Sequence, residues 1–445
     1  MKPSGLIGLL LACALPLCAQ QQTSELLSLE QAKELAIRNN RSVQNSKLAV
    51  DKVDDQLAAT RTLRYPSFNL YSLASLQLAS LDFTFERGVF GTYQGIGPVP
   101  ATDTVISTPR RPTAIIVGSV TQPITQQYRI RLNLDQLELS REVANEELRQ
   151  QQQSVVNDVK QLYYAILQSQ SALKSNQQSV QLYRELDRLT TDLVSQQVAL
   201  KAQNLEVKAK LAKEEYDGLN LENQLATQKE QLNNLLGRDI RTSFDVVPVP
   251  EMTTFEMDLV SAQNRALEHR PEIKEARLKI RQADLDRRIK KAEYVPDVSL
   301  GVNYVSPRNF DDFVPRNFAS AGFIINWDIF DWGKKSRELD AKKKTSEQAQ
   351  NAFIETQNRV LIDVNSKFRR VQQVRELLRV SRLAQEAAQE KLRVMQNKYE
   401  VQAALLSDVL QVQTSVVETD HQYQQALVAF WTARAEFEKA LGEDK

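Results

Sequence analysis

In the stretch Asp297-Val298-Ser299-Leu300-Gly301-Val302-Asn303-Tyr304 every second residue is apolar. Val298, Leu300, Val302 and Tyr304 therefore share one face of a strand, and Asp297, Ser299, Gly301 and Asn303 share the other. Phe323, Ile325, Trp327 and Ile329 repeat the pattern against Gly322, Asn326 and Asp328, with Ile324 the one exception, so strands are expected over about 297–305 and 320–330. Directly beyond them the period turns helical and stays so from about 334 to 395. At ~1.5 Å per residue that is a rod on the order of 90 Å, far too long for a globular core.

The same arrangement occurs earlier in the chain. Leu235-Leu236-Gly237 and Ala440-Leu441-Gly442 are matching helix endings 205 residues apart, and at that offset Val155 meets Val360, Asp158 meets Asp363, Tyr163 meets Phe368 and Val207 meets Val412. Nearer the repeat starts the offset is 230, pairing Ala32 with Ala262, Ala36 with Ala266, Pro66 with Pro296 and Leu70 with Leu300, so the first copy carries 25 extra residues between its strands. A period this long signals a duplicated domain. The division expected is a first repeat over 20–240 with strands at about 67–85 and 113–124, a linker over 241–257 and a second repeat over 258–445. The stretch 86–112, rich in Gly, Pro and Thr, reads as an exposed loop, and a second rod is expected from about 128 to 190. Each repeat runs helix, strand, strand, very long helix, helix. In the last helix Val409, Val412, Val416, Thr419, Tyr423, Ala426, Phe430, Ala433, Phe437 and Ala440 follow the alternating three- and four-residue steps of a coiled-coil seam.

Composition excludes several functions. The 445 residues hold 57 Lys and Arg against 56 Asp and Glu, and 56 against 56 once Lys2 leaves with a leader, so no global field draws nucleic acid. Residues 1–19 read as an export signal with cleavage after Ala19, while Leu10-Leu11-Ala12-Cys13 offers the alternative of a lipidated Cys13. Cys13 and Cys18 are the only cysteines and His269 and His421 the only histidines, which leaves little for metal or disulfide chemistry. There is no P-loop, no Gly-rich dinucleotide signature and no nucleophile with an adjacent base, so neither an enzyme nor a cofactor is expected. No downstream segment reaches the ~18 apolar residues of a spanning helix. A membrane location would have to rest on strands, bounded by aromatic anchors at Tyr294, Tyr304, Trp327, Phe330 and Trp332.

Four strands cannot close a barrel alone, because membrane barrels begin at about eight and an open edge is not tolerated in lipid. A trimer would supply twelve. The competing reading is a periplasmic or lipid-anchored coiled-coil scaffold that conducts nothing, against which the apolar strand faces argue.

The chain resembles an outer-membrane efflux protein of the TolC-like family over nearly all of its mature length and in both repeats. The resemblance rests on Leu29-Glu30-Gln31-Ala32 with Ala36-Ile37-Arg38-Asn39-Asn40, on Ala266-Leu267-Glu268-His269-Arg270-Pro271-Glu272-Ile273, on the run from Phe323 to Gly333, on Ser407-Asp408-Val409-Leu410, and on the endings at Gly237 and Gly442. It implies a mainly α protein with a small β part: a trimeric 12-stranded outer-membrane β-barrel continued by a periplasmic α-helical barrel, joined by an adaptor (membrane fusion) protein to an inner-membrane pump or ABC exporter. The function implied is a passive efflux or secretion conduit, surrounded by outer-membrane lipid and gated at the helical tips near 195–205 and 400–411. Asp408 matches a family position that forms a carboxylate ring at the constriction, and Tyr399 one in the lock that holds neighbouring coils together. Val198, Ala199, Leu200, Val401, Ala404, Leu405 and Ser407 are the candidate adaptor contacts. The chain departs from the family at Gln203, Gln402, Ala404 and Gln411, where an aspartate, a glycine, an arginine and a second acid are expected, so any lock here is differently built.

Overall fold

The computed structural model describes residues 25–76, 78–108, 112–197, 200–249, 257–309, 316–401 and 403–443. In chain order the elements are β1 (Glu25–Leu27), α1 (Leu29–Asn39), α2 (Arg41–Thr62), β2 (Ser67–Leu76), β3 (Leu81–Phe85), β4 (Thr92–Tyr93), β5 (Gly97–Pro98), β6 (Thr104–Thr108), β7 (Pro112–Pro123), α3 (Gln126–Ser195) and α4 (Lys201–Leu235). There follow β8 (Phe244–Val246), α5 (Leu259–His269), α6 (Pro271–Ala292), β9 (Asp297–Arg308), β10 (Phe318–Asn326), α7 (Lys334–Glu400) and α8 (Leu406–Ala440). The fold is mainly helical. The proposed leader, Cys13, Val198, Ala199, Gln402 and residues 250–256 of the linker fall outside the described residues.

Neither α3, with 70 residues, nor α7, with 67, contains Gly or Pro, so nothing in either sequence breaks the backbone ladder. Each folds back on a 35-residue partner, α3 on α4 and α7 on α8. Of the ten α8 seam positions, all but Val416 and Thr419 are buried. Shorter helices start on identifiable caps. Ser28 accepts from the Gln31 amide and Asp258 from the Ser261 amide, while Asn40 accepts from Ser42 and Val43.

About halfway along the rods the apolar core thickens into a collar. Tyr163, Phe244, Phe437, Leu27, Leu232 and Ile273 are fully buried there, each worth roughly 1.5–3 kcal/mol by burial. β1 and β8 pair in parallel within it, and the Tyr163 hydroxyl lies 2.9 and 2.8 Å from the carbonyl oxygens of Leu27 and Val247. The ends of α4 and α8 dock on the α1–α2 and α5–α6 corners. At Gly237 (φ +67°) a Cβ would sit 2.4 Å from the Asn39 oxygen, and at Gly442 (φ +78°) 2.8 Å from the Arg270 nitrogen, so only glycine fits either approach.

At one end of the rods lies a four-stranded antiparallel sheet in the order β10-β9-β7-β2. Its register puts Leu300 opposite Phe323 and Gln122, Val302 opposite Val120, and Val120 opposite Phe68. The outward face carries Phe68 (77% exposed), Leu70 and Phe323 (71%), whereas Ser299 on the other face is 9% exposed. Next to the rods apolar residues thus take one face and Ser119, Thr121, Ser299 and Asn303 the other, while farther from the rods Tyr71, Leu73, Ile115 and Val117 put apolar side chains on that second face as well. Among the described residues the sheet does not close, and the outer edges of β2 and β10 have no partner.

Three expectations need correcting. The strand expected over 67–85 is two, β2 in the main sheet and β3 in a separate ladder with β6. The expected loop 86–112 is largely an ordered hairpin extension. Within it the Thr-rich β6 pairs with β3, β4 pairs with β5, and the Phe85 and Phe90 rings meet at 5.3 Å. Moreover, β10 ends at Asn326 rather than near 330, so Trp327 and Phe330 lie in the turn that leads to Gly333 (φ +80°) and α7.

Candidate gate at the helical tips

At the end of the rods remote from the sheet, α3 turns into α4 and α7 into α8. Lys201 and Leu406 begin the returning helices, so Gln203 and Asp408 each occupy the third helical position. Both reach back to their own helix start: Gln203 Oε1 accepts from the Leu200 amide at 3.1 Å, and Asp408 Oδ2 accepts from the Leu405 amide at 3.1 Å. The two hairpins are thus capped alike, one with a neutral group and one with a carboxylate favoured by the positive end of the helix dipole. Asp408 is half-buried and engaged by its own backbone.

Behind the turns a small apolar cluster holds the two hairpins together. Tyr183 and Leu186 of α3, Val207 of α4 and Leu410 of α8 are buried in it, and half-buried Tyr399 of α7 packs against it. The buried contact that joins the two hairpins is the one between Leu410 of α8 and the α3 and α4 residues, and Tyr399 lies against the same cluster. Leu200 (71% exposed), Val401 (73%) and Leu405 (70%) project from the turns, with Ser407 exposed and Ala404 half-exposed beside them. Gln411 is exposed on α8, one turn beyond Asp408.

Asn204 was not among the residues singled out from sequence, yet it is the most connected polar group near the tips. Its buried Nδ2 lies 2.9 Å from Asp187 Oδ1, 3.0 Å from Thr190 Oγ1 and 2.9 Å from Thr191 Oγ1, fastening α4 to α3. The repeat offset carried the signal, since Asn204 falls opposite the buried Val409 and breaks the apolar seam there.

Further along the hairpins a groove of about 570 Å³ lies between α3, α4 and α8, lined by Tyr183, Lys213, Glu214, Asp217, Asp420 and His421 among others. Burial raises the Glu214 carboxyl above its ordinary range although Lys213 and the Asn176 amide favour its charged form. Asp420 accepts from Ser175 and, at 2.5 Å, from Gln385, which links it to α3 and α7. His421 contacts Gln425 at 2.8 Å, and His269 offers its carbonyl to Arg149. Among the described residues no group of His, Cys, Asp and Glu could hold a metal, and no helix is long and apolar enough to cross a membrane.

In the collar Arg270 binds Glu272 at 2.9 Å and Asp363 at 2.8 Å. Burial alone would raise the Glu272 carboxyl, but the hydrogen bonds and charge of Arg270 outweigh it and hold the group below its ordinary range.

The sequence profile described as "Outer membrane efflux protein" matches residues 33–238 and 262–443. Among curated proteins, an uncharacterized protein of Haemophilus influenzae is 21% identical over 220 residues, 48% of this chain and 48% of that protein, so the match spans about half the length of the curated relative. A solved membrane protein from Pseudomonas aeruginosa superposes with a TM-score of 0.75 at 17% identity, covering 93% of this chain and 90% of that one. The Campylobacter jejuni CmeC outer membrane channel gives 0.75 at 13% identity, with 93% and 85% covered. At such identities the likeness is one of fold.

Proposed function

This chain belongs to the outer membrane efflux protein family, whose members are outer-membrane channels extending into the periplasm, and we propose that it works as a trimeric conduit whose barrel is shared between three copies. β10 of one copy pairs with β2 of the next, giving twelve strands from three open sheets. The face bearing Phe68, Leu70, Leu300 and Phe323 meets lipid, and the face bearing Ser119, Thr121, Ser299 and Asn303 lines the lumen. The rods continue as a helical barrel through the periplasm, built from two repeats, 20–240 and 258–445, around the linker at 241–257. The conduit catalyses nothing. Energy comes from an inner-membrane pump or ABC exporter, and an adaptor seats on the tips at Leu200, Val401 and Leu405, with Ala404, Ser407 and the neighbouring Val198 and Ala199.

The gate lies where the hairpins turn. Tyr399 holds the α7–α8 hairpin to the α3–α4 hairpin, and three copies of Asp408 bring their carboxylates to the narrowest point, where they attract cations and raise one another's pKa. Gln203 and Gln411 contribute no charge there, which leaves Asp408 as the acid of the ring.

The observation that carries this reading is the pair of unpaired edges on a sheet whose apolar face is exposed. In hydrocarbon each unsatisfied backbone group costs several kcal/mol, so such a sheet is viable in lipid only when closed by others. The test is to separate inner and outer membranes and determine the protein mass of the detergent-extracted particle with the detergent subtracted. A three-chain particle from the outer membrane is expected. A soluble or inner-membrane monomer or dimer would overturn the shared barrel and leave the non-conducting scaffold in its place.

A further inference from the structure

Where the sheet meets the rods, four helix ends converge: the end of α2, the start of α3, the end of α6 and the start of α7. Side chains lock this junction. Gln122 and Gln127 both donate to the Arg64 carbonyl, at 3.0 and 2.9 Å, Thr125 donates to the Pro296 carbonyl at 2.7 Å, and Arg129 pairs with Asp297 at 2.9 Å. Residues 61–66, 124–131, 288–297 and 327–337 together hold ten basic side chains against four acidic ones, in a chain whose overall charge is balanced. Arg64, Arg131, Arg288, Lys291, Lys334 and Arg337 are exposed and make no direct ion pair among the described residues, Lys334 and Arg337 alone acting at longer range on the carboxylates of Glu338 and Asp340. Arg64 follows the end of α2, and the other five lie within about 8 Å of the junction along their helices, at ~1.5 Å per residue. On the sheet side of these cations the same junction bears Tyr65 (70% exposed), Tyr128 (54%), Trp327 (56%) and Trp332 (90%).

Unpaired cations directly below a ring of exposed aromatics, themselves below an exposed apolar sheet, form the layered sequence of a membrane interface: hydrocarbon, amphipathic ring, charge. We propose that this junction binds the anionic headgroups of phospholipids in the periplasmic leaflet and so fixes the depth of the barrel in the membrane. The proposal rests on the outer-membrane channel reading, because only that reading sets the junction at the periplasmic face. Arginine and lysine are suited to phosphate, Arg64, Arg131, Arg288 and Arg337 by forked donation and Lys291 and Lys334 as point charges. The aromatic ring argues for a lipid-borne phosphate rather than a free one.

The test compares binding of phosphatidylglycerol and phosphatidylcholine to the delipidated full-length oligomer in detergent, for the wild type and for the combined variant Arg64→Gln, Lys291→Gln, Lys334→Gln, Arg337→Gln. A control variant loses as many exposed, unpaired cations far from the junction, at Lys201→Gln, Arg375→Gln, Lys391→Gln and Lys398→Gln. The wild type and the control should prefer phosphatidylglycerol, and the junction variant should lose about fivefold in that preference for each charge removed, as should the wild type progressively with rising salt. No preference in the wild type, or the same preference in the junction variant, would overturn the proposal. Should that variant not assemble, a wild-type preference insensitive to salt would overturn it equally. Membrane fractionation of the same cells separates the two levels: an outer-membrane oligomer without lipid preference rejects only this site, whereas a protein absent from the outer membrane rejects the channel itself.

Discussion

Asp408 caps α8, and under the proposed function it also forms the acid of the gate ring; three substitutions pull the two roles apart. In Asp408→Ala the Leu405 amide loses the acceptor it now has at 3.1 Å. Loss of such a cap costs about 1 kcal/mol, or roughly a fivefold rise in the local opening constant of the first turn of α8. Asp408→Gln copies what Gln203 already does at the other tip, where a neutral amide accepts from the Leu200 amide at the same distance. It should keep the cap and lose only the charge, while Gln203→Ala should loosen the start of α4 as Asp408→Ala loosens α8. Three carboxylates each ~5 Å from a permeating cation in a water-filled constriction contribute about 2.5 kcal/mol per unit of cation charge before screening, roughly 70-fold in affinity. Hydrogen exchange over residues 403–412 reads the first duty, and block of single-channel current by a multivalent cation in planar bilayers reads the second. The expected pattern is faster exchange in Asp408→Ala alone and weakened block in both Asp408 variants. Exchange in Asp408→Gln as fast as in Asp408→Ala would refute the cap, and undiminished block in both would refute the ring.

Three further outcomes follow from the packing. Gly442→Ala and Gly237→Ala should each destabilise the collar by about 2–4 kcal/mol, combining left-handed strain with a backbone clash, whereas Gly333→Ala, which meets no atom within 4 Å, should cost only about 1 kcal/mol; chemical denaturation of the three variants checks this. Asn204→Ala removes the fastening of α4 to α3 and should cost about 1–3 kcal/mol, seen as faster proteolysis at the α3–α4 turn with the collar unaffected. Because Glu272 titrates lower in the folded chain than in the unfolded one, its contribution is present above the ordinary carboxylate range and is lost as pH falls through the folded value. Thermal midpoints measured from neutral to acidic pH should therefore fall more for the wild type than for Glu272→Gln.

Features with a long, regular period were the most legible. The apolar beats at Leu300, Val302 and Phe323 are on the exposed sheet face, and the absence of Gly and Pro from α3 and α7 matches two rods of 70 and 67 residues. Short or irregular features were not. β1 and β8 have three residues each, too few to display a period, and exist because Tyr163 and the collar organise them. The β3–β6 hairpin escaped because Thr104, Ser107 and the Gly and Pro residues around them look like a loop, although their backbone pairing does not depend on apolar alternation. The cap on α8 was hidden by Leu405, since the usual signature needs a polar residue at that position and here only the third helical residue supplies the contact. The proposed carboxylate ring is a property of three chains, so a single chain gives Asp408 no distance from its copies.

The position of the collar along α7 has a mechanical meaning. The collar core holds α7 as far as Leu378, and the helix ends 22 residues later at Glu400, so the arm beyond the core is about 33 Å long. Pivoting at that fulcrum, a tilt of one degree sweeps the end by about 0.6 Å, because an arc is the arm length times the angle. A tilt of five degrees carries Tyr399 about 3 Å, while atoms beside the fulcrum hardly move. Under the proposed gating the chain would be a lever with its bearing packed tight and its working end held by a few side chains.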